Sequence, residues 1–185
     1  MSYRNGTYAA FYVDEPFNGS NLKAFATPDF CYYQMLRAWK ARDPRIPFND
    51  SHDKTYNVRD GSDWECTLKP RLRLRLRNSK NIILFLSSRT KASRALTEEI
   101  EYGVGELGLP VIVVYPEFNP IRADGHFDQR VFGLWDKLPA FKNHMDEIPT
   151  VHIGMDGKAI SKALSAPEYA VQNKCNPGRY RLSAL

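Results

Sequence analysis

The chain has 185 residues, a net charge of +5 and 43% hydrophobic residues, which suits one globular domain with one core. Its three cysteines are an odd number without a CxxC pair, which favours reduced thiols over a disulfide framework or a zinc site. No apolar run approaches the ~20 residues of a membrane span, and the first residues lack a signal-peptide pattern. We therefore expect a cytoplasmic protein without membrane contact. The mild basic excess is compatible with an anionic ligand or nucleic acid and establishes neither.

Short apolar runs alternate with helical patterns from the start of the chain. The sequence predicts a first strand at Thr7–Val13, a helix over Asp29–Arg42 and a very short second strand at Ile46–Phe48. In the predicted helix, apolar residues recur three positions apart and share a face. The polar segment Asn49–Ser62 is long for a connection, which is typical of a functional loop.

The segment after this loop fits two structures. Arg and Leu alternate from Arg71 to Arg77 as in a strand, yet leucines four residues apart between Leu68 and Leu76 form a helical stripe. Both residue types favour helices, so we predict a helix with Thr67 as its N-cap and Pro70 in its first turn. Its arginines then cover an exposed face, which is more typical of a solvated surface than of a nucleic-acid site.

Three further strand–helix units follow. Asn81–Ser87 and Pro110–Tyr115 are almost wholly apolar, as are strands buried on both faces of a parallel sheet. A helix over Ser93–Leu107 separates them, with Ser93 as its N-cap. The remaining predicted elements are a helix at Asp128–Leu138, a strand at Ile148–Ile153, a helix at Lys158–Ser165 and a polar tail from Pro167.

This alternation predicts an α/β fold in which helices cover both faces of a central five-stranded parallel sheet. We assign residues 1–166 to this domain and residues 167–185 to a C-terminal extension. Ligands bind such sheets beyond the carboxyl ends of the strands, so Val13–Asp14, Phe48–Asn49 and Ser87–Ser88 are expected at one cleft. His52 is the only histidine expected there, and the histidines of the chain lack metal-binding spacing.

Two features after the central strand allow more than one interpretation. Gly103–Gly108 spells GxGxxG, but it ends a helix and precedes a strand, the reverse of a dinucleotide-binding turn, so we predict helix C-caps. Glu98, Glu99 and Glu101 follow the same strand. From the residues alone, either one of these carboxylates is catalytic or all three form the charged surface of an ordinary helix.

The spacing after the central strand resembles that of TIR domains. Many members of that family carry a Ser at the strand end, a second Ser six residues later and a Glu twelve residues later, which matches Ser87, Ser93 and Glu99. The family's aromatic residue and Trp-Cys pair are absent, and the first strand keeps Tyr8 and Phe11 of "YDVFISYS" without its Asp. The run "SRALTEEIEYG" is similar to the bacterial TIR-like group that includes the NAD-consuming subunit of Thoeris anti-phage systems.

The resemblance implies the TIR fold, a flavodoxin-like three-layer sandwich. It also implies an enzyme that cleaves the nicotinamide–ribose bond of NAD and makes a cyclic ADP-ribose-type signal for a defence effector. Glu99 then corresponds to the family's catalytic Glu, and residues 49–62 correspond to the BB loop, which closes over the ligand and takes part in self-assembly. NAD is the substrate, no cofactor or metal is expected, and the implied partners are a phage-derived activator and an effector reached through the diffusible nucleotide.

The chemistry is compatible with a single carboxylate. Nicotinamide in NAD is a cation and leaves as a neutral base, so no general acid is needed, and one carboxylate can stabilise the oxocarbenium-like charge. Glu98 and Glu101 point about 100° and 200° away from Glu99 around a helix, so we predict that they are surface groups. The remaining substrate-binding candidates lie at strand ends or in the loop, with core packing as the alternative for the aromatic ones: Phe11, Tyr12, Asp14, Asn49, Asp50, Trp64, Ser87 and Ser88.

Two other functions stay open. The missing Trp-Cys pair and the altered first strand allow a non-catalytic TIR module that recruits a partner through its helices and residues 49–62. The basic run Arg71–Arg77 allows a nucleic-acid-binding α/β domain, although no aromatic residues are interleaved with it in a basic stripe.

Overall fold

Strands and helices alternate through most of the computed structural model, which describes residues 4–13, 29–52, 63–118, 122–123 and 126–182. The strands are β1 (Gly6–Ala10), β2 (Ser79–Phe85), β3 (Val111–Tyr115), β4 (Arg122–Ala123), β5 (His126–Phe127), β6 (Pro149–Gly154) and β7 (Gly178–Arg181). The helices are α1 (Phe30–Arg42), α2 (Lys69–Arg77), α3 (Arg94–Ile100), α4 (Gln129–Asp136), α5 (Pro139–His144) and α6 (Gly157–Ser165). None of the helices in these ranges is both long and apolar enough to cross a membrane.

Five of these strands form a single sheet in the order β1-β2-β3-β6-β7. Every neighbouring pair in this sheet is parallel. Strands β2 and β3 lie inside the sheet, and their apolar runs are buried on both faces, as predicted from their composition. Strands β4 and β5 form a separate antiparallel pair.

Helices cover both faces of the sheet, because alternate residues of each strand bury their side chains on opposite sides. Tyr8, Ile82 and Leu84 belong to a core shared with α2, α3, α4 and α5. Ile83 and Phe85 belong to the core on the other face, which α1 and α6 cover. The predicted three-layer α/β sandwich with a five-stranded parallel sheet is therefore confirmed.

The second predicted strand is wrong in its position and extent. Ile46–Phe48 forms no strand, and the chain instead makes a single parallel bridge between Asp50 and Thr7 at the edge of β1. The Thr7 N–H donates to the Asn49 carbonyl at 2.7 Å, and the Ser51 N–H donates to the Thr7 carbonyl at 3.1 Å. Pro47 has no N–H to donate to a ladder, which helps explain why so short a segment does not pair along its length.

The fifth strand comes instead from the segment after residue 166. Strand β7 pairs with β6 in a register that places Arg179 opposite Thr150 and Tyr180 opposite Val151. Its charged sequence GRYR did not predict a strand, because an edge strand needs no continuous apolar run. The C-terminal segment thus contributes directly to the central sheet.

The chain is already helical before α2, because a π-helical turn at Trp64–Leu68 leads directly into this helix. Asp63, rather than Thr67, caps this turn by accepting a hydrogen bond from the Cys66 N–H at 2.6 Å. The predicted N-cap is therefore wrong by about one turn. Pro70 lies in the first turn of α2, as predicted.

Helix α3 also continues into a π-helical turn, at Glu101–Glu106. Gly108 ends this helix with φ of 60°, a conformation that glycine adopts without steric cost, so the predicted C-cap is confirmed there. Gly103 lies inside the turn for a different reason. A Cβ atom on it would come within 2.7 Å of Ile82 Cδ1, so the helix approaches β2 closely only because this residue is glycine.

Candidate active site

The packing of α3 fixes the direction in which Glu99 points. Ser93 caps this helix, as predicted, by accepting a hydrogen bond from the Leu96 N–H at 3.2 Å. Leu96 and Ile100 are buried against the sheet. Glu99 follows Leu96 by three residues, so it shares the sheet-facing side of the helix. The acidic side chain is therefore directed inward rather than into solvent.

Glu99 meets the hydroxyl of Tyr8 on the edge strand β1. The Tyr8 Oη–H donates to Glu99 Oε1 at 2.7 Å. The other carboxylate oxygen, Oε2, is buried and has no hydrogen-bond partner among the described residues. One carboxylate oxygen of Glu99 thus accepts a hydrogen bond from the protein, and the other has no donor among the described residues.

Burial dominates the acid–base properties of this pair. It raises the pKa of Glu99 to about 8, and the Tyr8 hydrogen bond and the positive charge of Arg75 offset this effect only in part. Burial and the adjacent Glu99 also raise the pKa of Tyr8 well above its ordinary value. The phenol therefore keeps its proton and acts as the donor of the hydrogen bond.

His52 packs beside Tyr8 at the same edge of the sheet. The two ring centroids are 4.6 Å apart, and His52 Nε2 lies 3.0 Å from the Ala9 carbonyl oxygen, to which it donates. Burial lowers the pKa of His52 to about 4, so the ring is neutral at physiological pH. Its proton therefore stays on Nε2, fixed by the Ala9 carbonyl.

Arg75, at the end of α2, supplies the positive charge in this cluster. Its charge lowers the pKa of both Glu99 and His52. The Arg75 Nε is buried and, like Glu99 Oε2, has no hydrogen-bond partner in the described part of the chain. We refer to Tyr8, His52, Arg75 and Glu99 as the Glu99 cluster.

The two neighbouring glutamates have different surroundings. Glu98 Oε1 accepts a 2.6 Å hydrogen bond from Arg73 Nε, and Lys69 lies 3.7 Å from Oε2. Glu101 is exposed and lies 3.2 Å from His144 Nε2. Glu98, predicted as a surface group, is thus half-buried against cations of α2, whereas Glu101 is exposed as predicted, and of the three carboxylates only Glu99 is shown in contact with a strand of the sheet.

Ser87 and Ser88 occupy the carboxyl end of β2, in a separate hydrogen-bond network. The Ser87 hydroxyl donates to buried Asp29 at 2.5 Å, and the Thr90 hydroxyl donates to the same carboxylate at 2.7 Å. The exposed Ser88 donates its hydroxyl and its N–H to Glu117. Ser87 thus has a structural role, since it ties β2 to the start of α1.

The aromatic candidates pack against the cores on the two faces of the sheet. Phe11 stacks on Tyr33, with ring centroids 5.1 Å apart, and Tyr12 is buried in the core. Trp64 lies beneath the Arg94 guanidinium, 4.6 Å from the ring centroid, and packs against the same core.

The polar candidates in the loop are held by their own contacts. Asp50 accepts from the Tyr33 hydroxyl at 2.6 Å and from the His52 N–H at 2.8 Å, while Asn49 donates its side-chain amide to the Asn5 carbonyl. Asp14 and residues 53–62 of the predicted loop lie outside the described residues. Asp50 is thus the candidate that reaches the Glu99 cluster, through His52.

Neither Tyr8 nor Arg75 was predicted from the sequence as a site residue, and His52 was expected at the cleft without a role. Tyr8 is a hydroxyl-bearing residue within an apolar strand, whereas Arg75 belongs to the arginines that were predicted to cover the exposed face of the helix. His52 was already the only histidine expected at the cleft. Only contacts between residues that are far apart in the sequence show that these residues lie together.

The site offers a hydrogen-bond acceptor, Glu99 Oε2, and the positive charge of Arg75. Among the residues that the structure describes, no group of three His, Cys, Asp or Glu side chains could hold a metal ion. The buried Glu99 carboxylate can accept a hydrogen bond and stabilise positive charge.

A comparison with known protein families identifies the family to which this chain belongs. Residues 8–120 of this 185-residue chain match the family described as Thoeris protein ThsB, TIR-like domain. The match begins at Tyr8 and includes all four residues of the Glu99 cluster. It covers more than half of the chain, together with a sheet and helix arrangement of the TIR type. The chain therefore belongs to the TIR-like family of Thoeris defence proteins.

Proposed function

We propose that the protein cleaves the nicotinamide–ribose bond of NAD, with Glu99 as the catalytic residue. The observation that carries this proposal is the unsatisfied Glu99 Oε2, a buried acceptor beside a fixed phenol. Such an atom is costly unless a ligand supplies its partner, and strained polar groups of this kind occur at functional sites.

In the proposed reaction, the C1′–N bond of the nicotinamide ribose breaks and its electrons pass to the nicotinamide nitrogen. Nicotinamide leaves as a neutral base, and positive charge develops on C1′ and the ring oxygen. The Glu99 carboxylate stabilises that charge and accepts a hydrogen bond from the ribose. Water, or a nucleophilic atom of the same ADP-ribose, then adds to C1′. When the nucleophile is an atom of the ADP-ribose itself, the product is a cyclic ADP-ribose-type signal for a defence effector.

The rate of the proposed reaction depends on the protonation state of Glu99, because the reaction needs the ionised carboxylate. Because the pKa of the ligand-free carboxyl group is about 8, much of it is protonated at neutral pH. A cationic nicotinamide ring nearby would favour the charged form. The substrate thus promotes formation of the carboxylate that its own cleavage requires.

The test is turnover of NAD by the wild type, Glu99→Gln and Glu98→Gln, with products identified by mass spectrometry and NMR. We expect Glu99→Gln to lower kcat by at least about a hundredfold, as loss of a single electrostatic contact does in other active sites. Glu98→Gln is the matched control, because its carboxylate pairs with Arg73 outside the cluster. Equal activity of Glu99→Gln and wild type would remove Glu99 from the catalytic role. Where turnover requires an activator, the three proteins are compared in its presence.

A further inference from the structure

The turn that follows β2 directs two hydrogen-bond donors of Ser88 towards the carboxylate of Glu117. The Ser88 N–H donates to Glu117 Oε2 at 2.9 Å, and the Ser88 hydroxyl donates to Glu117 Oε1 at 2.5 Å. Each oxygen of this carboxylate thus has its own donor from a single residue. Ser88 and Glu117 are both exposed, so the contact can open without uncovering the core.

Buried contacts hold the turn in place beneath Ser88. The hydroxyls of Ser87 and Thr90 donate to the Asp29 carboxylate, and these three residues are buried. The N–H groups of Ser87, Arg89 and Thr90 all donate to atoms within the turn. Of the four residues of the turn, Ser88 is therefore the one whose N–H points outward, in a direction that the buried network fixes.

Positive charge lies on and beside the same turn. The Lys137 ammonium donates to the Ser88 carbonyl oxygen, and Arg89 and Lys91 follow Ser88 in the sequence as exposed residues. Glu117 and the buried Asp29 supply at most two negative charges against these three cations. A diphosphate carries more negative charge than one carboxylate, so it would bring the turn closer to neutrality than Glu117 does.

The turn lies at the edge of the sheet where ligands of parallel α/β proteins bind. The neighbouring strands β1 and β2 continue to opposite faces, because α1 packs in one core and α3 packs in the other. Such a reversal opens a crevice at the carboxyl ends of the two strands. Ser88 comes just after the carboxyl end of β2, and the connection that it begins leads into α3, which carries Glu99.

The donors of Ser88 restrict the chemical class of a ligand at this turn. An N–H and an O–H that bind two oxygens of one acidic group form an oxyanion site, and a phosphate group also presents paired oxygens. A cation would be repelled by Lys137, and an apolar group would leave both donors without a partner. The anionic part of NAD is its diphosphate, so the proposed function identifies the oxyanion as a phosphate group.

We propose that the Ser88 turn binds the diphosphate of NAD and that Glu117 occupies this site in the ligand-free protein. The assignment rests on the proposed function, because it takes NAD as the nucleotide. On binding, Glu117 releases the N–H and the hydroxyl of Ser88, and both donate to phosphate oxygens instead. Glu117 is thus a competitor within the protein, and it lowers the affinity for the nucleotide.

Binding of inorganic pyrophosphate and of ADP-ribose tests the site without turnover, because both carry a diphosphate and lack nicotinamide. Calorimetry compares the wild type, Glu117→Ala and Glu168→Ala. Glu117→Ala removes the competitor, so we expect about tenfold tighter binding of both ligands, the value of one hydrogen bond to a charged group. Glu168→Ala should bind within about twofold of the wild type. It is the matched control, because Glu168 is exposed and precedes Tyr169, whose carbonyl accepts from Asn81 near the other end of β2.

Ser88→Ala separates direct binding from a general effect of charge. In the wild-type background the hydroxyl serves Glu117 and the phosphate alike, so its loss should weaken binding less than about threefold. In the Glu117→Ala background only the phosphate uses the hydroxyl, so the same change should weaken binding about tenfold. The Ser88 amide signal in NMR spectra of the wild type provides a readout that needs no variant, and pyrophosphate should shift it.

The outcomes separate this proposal from the proposed function. Equal pyrophosphate affinities of Glu117→Ala and Glu168→Ala, or a Ser88 amide signal that pyrophosphate does not shift, would overturn the site and leave the role of Glu99 unaffected. Malonate binding as tight as that of pyrophosphate would overturn the assignment to phosphate. A gain for Glu117→Ala with pyrophosphate but not with ADP-ribose would indicate a site for inorganic anions and would overturn the role in nucleotide binding. Unchanged NAD cleavage by Glu99→Gln would instead overturn the catalytic role of Glu99, and the pyrophosphate measurements would still stand.

Discussion

Tyr8 and Glu99 are 91 positions apart in the sequence, yet the Tyr8 hydroxyl lies 2.7 Å from Glu99 Oε1. This contact joins the edge strand β1 to helix α3 and leaves the second carboxylate oxygen without a described partner. It connects the stability of the fold with the chemistry proposed for the site, because the protein buries an acid that it only partly satisfies.

The first prediction concerns the pH dependence of NAD cleavage. The proposed reaction needs the Glu99 carboxylate, whose pKa burial raises to about 8. We therefore expect kcat/KM, which reports the free enzyme, to rise with pH through about 8. The measurement is a pH–rate profile between pH 6 and about 9.5.

Tyr8→Phe should move this profile. The Tyr8 hydrogen bond lowers the pKa of Glu99, so its loss should shift the rise in kcat/KM to higher pH. Tyr169→Phe is the control, because Tyr169 packs in the core on the other face of the sheet. A profile of Tyr8→Phe that coincides with that of Tyr169→Phe would argue against a positioning role for the phenol.

The second prediction is that Glu99→Gln stabilises the protein at alkaline pH. In the folded state Glu99 keeps its proton up to about pH 8, whereas in the unfolded chain it loses the proton near its ordinary pKa of 4.5. The unfolded state therefore binds fewer protons between these values, and stability falls as pH rises through this window. Gln removes this cost, so we expect a gain of about 1–3 kcal/mol at pH 8 and a smaller one at pH 5.

Urea unfolding of wild type, Glu99→Gln and Glu98→Gln at both pH values provides the measurement. Glu98→Gln loses its ion pair with Arg73 and should show no such gain. A difference between Glu99→Gln and wild type that does not grow with pH would contradict the raised pKa.

The third prediction concerns a buried chain of hydrogen bonds behind the sheet. Trp135 Nε1 donates to the Tyr115 hydroxyl at 2.7 Å, and Tyr115 donates to His152 Nδ1, also at 2.7 Å. His152 Nε2 then donates to the Thr150 hydroxyl at 3.1 Å. The pKa of His152 is lowered to about 3, mainly by burial. The positive charges of Arg179 and Arg181 on β7 also lower this pKa, and the negative charge of Asp146 opposes them.

Because the pKa of His152 is lowered in the folded state, the free energy of unfolding decreases as the solution becomes more acidic. The unfolded histidine takes up a proton near pH 6.5, but the folded one does not until about pH 3, so stability is lost as pH falls between these values. His152→Gln should therefore lose less stability than wild type between pH 7 and 4, by about 1–3 kcal/mol. His144→Gln should lose more, because Glu147 raises the pKa of His144. Equal slopes for the three proteins in thermal unfolding would refute this prediction.

The fourth prediction separates the two adjacent serines at the end of β2. Ser87→Ala leaves the buried Asp29 carboxylate with one donor fewer and should cost about 1–3 kcal/mol in the free energy of unfolding. Ser88→Ala removes an exposed contact to Glu117 and should cost less than about 0.5 kcal/mol. Chemical denaturation checks both. A larger loss for Ser88→Ala than for Ser87→Ala would show that the network around Asp29 does not hold α1 to the sheet.

The fifth prediction compares two glycines within helical segments. Gly103→Ala would place a Cβ 2.7 Å from Ile82 Cδ1 and 3.0 Å from Leu76 Cδ2, both in the packed core, and should destabilise by about 1–3 kcal/mol. Gly133→Ala in α4 has no atom within 4 Å of the new Cβ and should stabilise by about 0.5–1 kcal/mol. Thermal unfolding provides the measurement, and a neutral Gly103→Ala would mean that α3 can move away from β2.

The sequence by itself determined the layered α/β architecture, because buried parallel strands have a local signature. The apolar runs of β2 and β3 needed no information from the rest of the chain, and the Ser93 cap and the periodicity of α3 were equally local. The helical period separated Glu99 from Glu98 and Glu101, and the family resemblance selected Glu99 as the candidate.

Only the tertiary structure decided which residues meet Glu99 and which strand completes the sheet. Tyr8, His52 and Arg75 come from three separate segments of the chain. Their positions relative to Glu99 depend on the register of β1 and the orientation of α2, which local pattern does not encode. Strand β7 pairs along an edge through backbone hydrogen bonds, so its charged side chains carried no signal of the pairing. Hydrophobic periodicity is a local property of the chain. A polar site is formed by contacts between residues far apart in the sequence, and local periodicity does not predict which residues make these contacts.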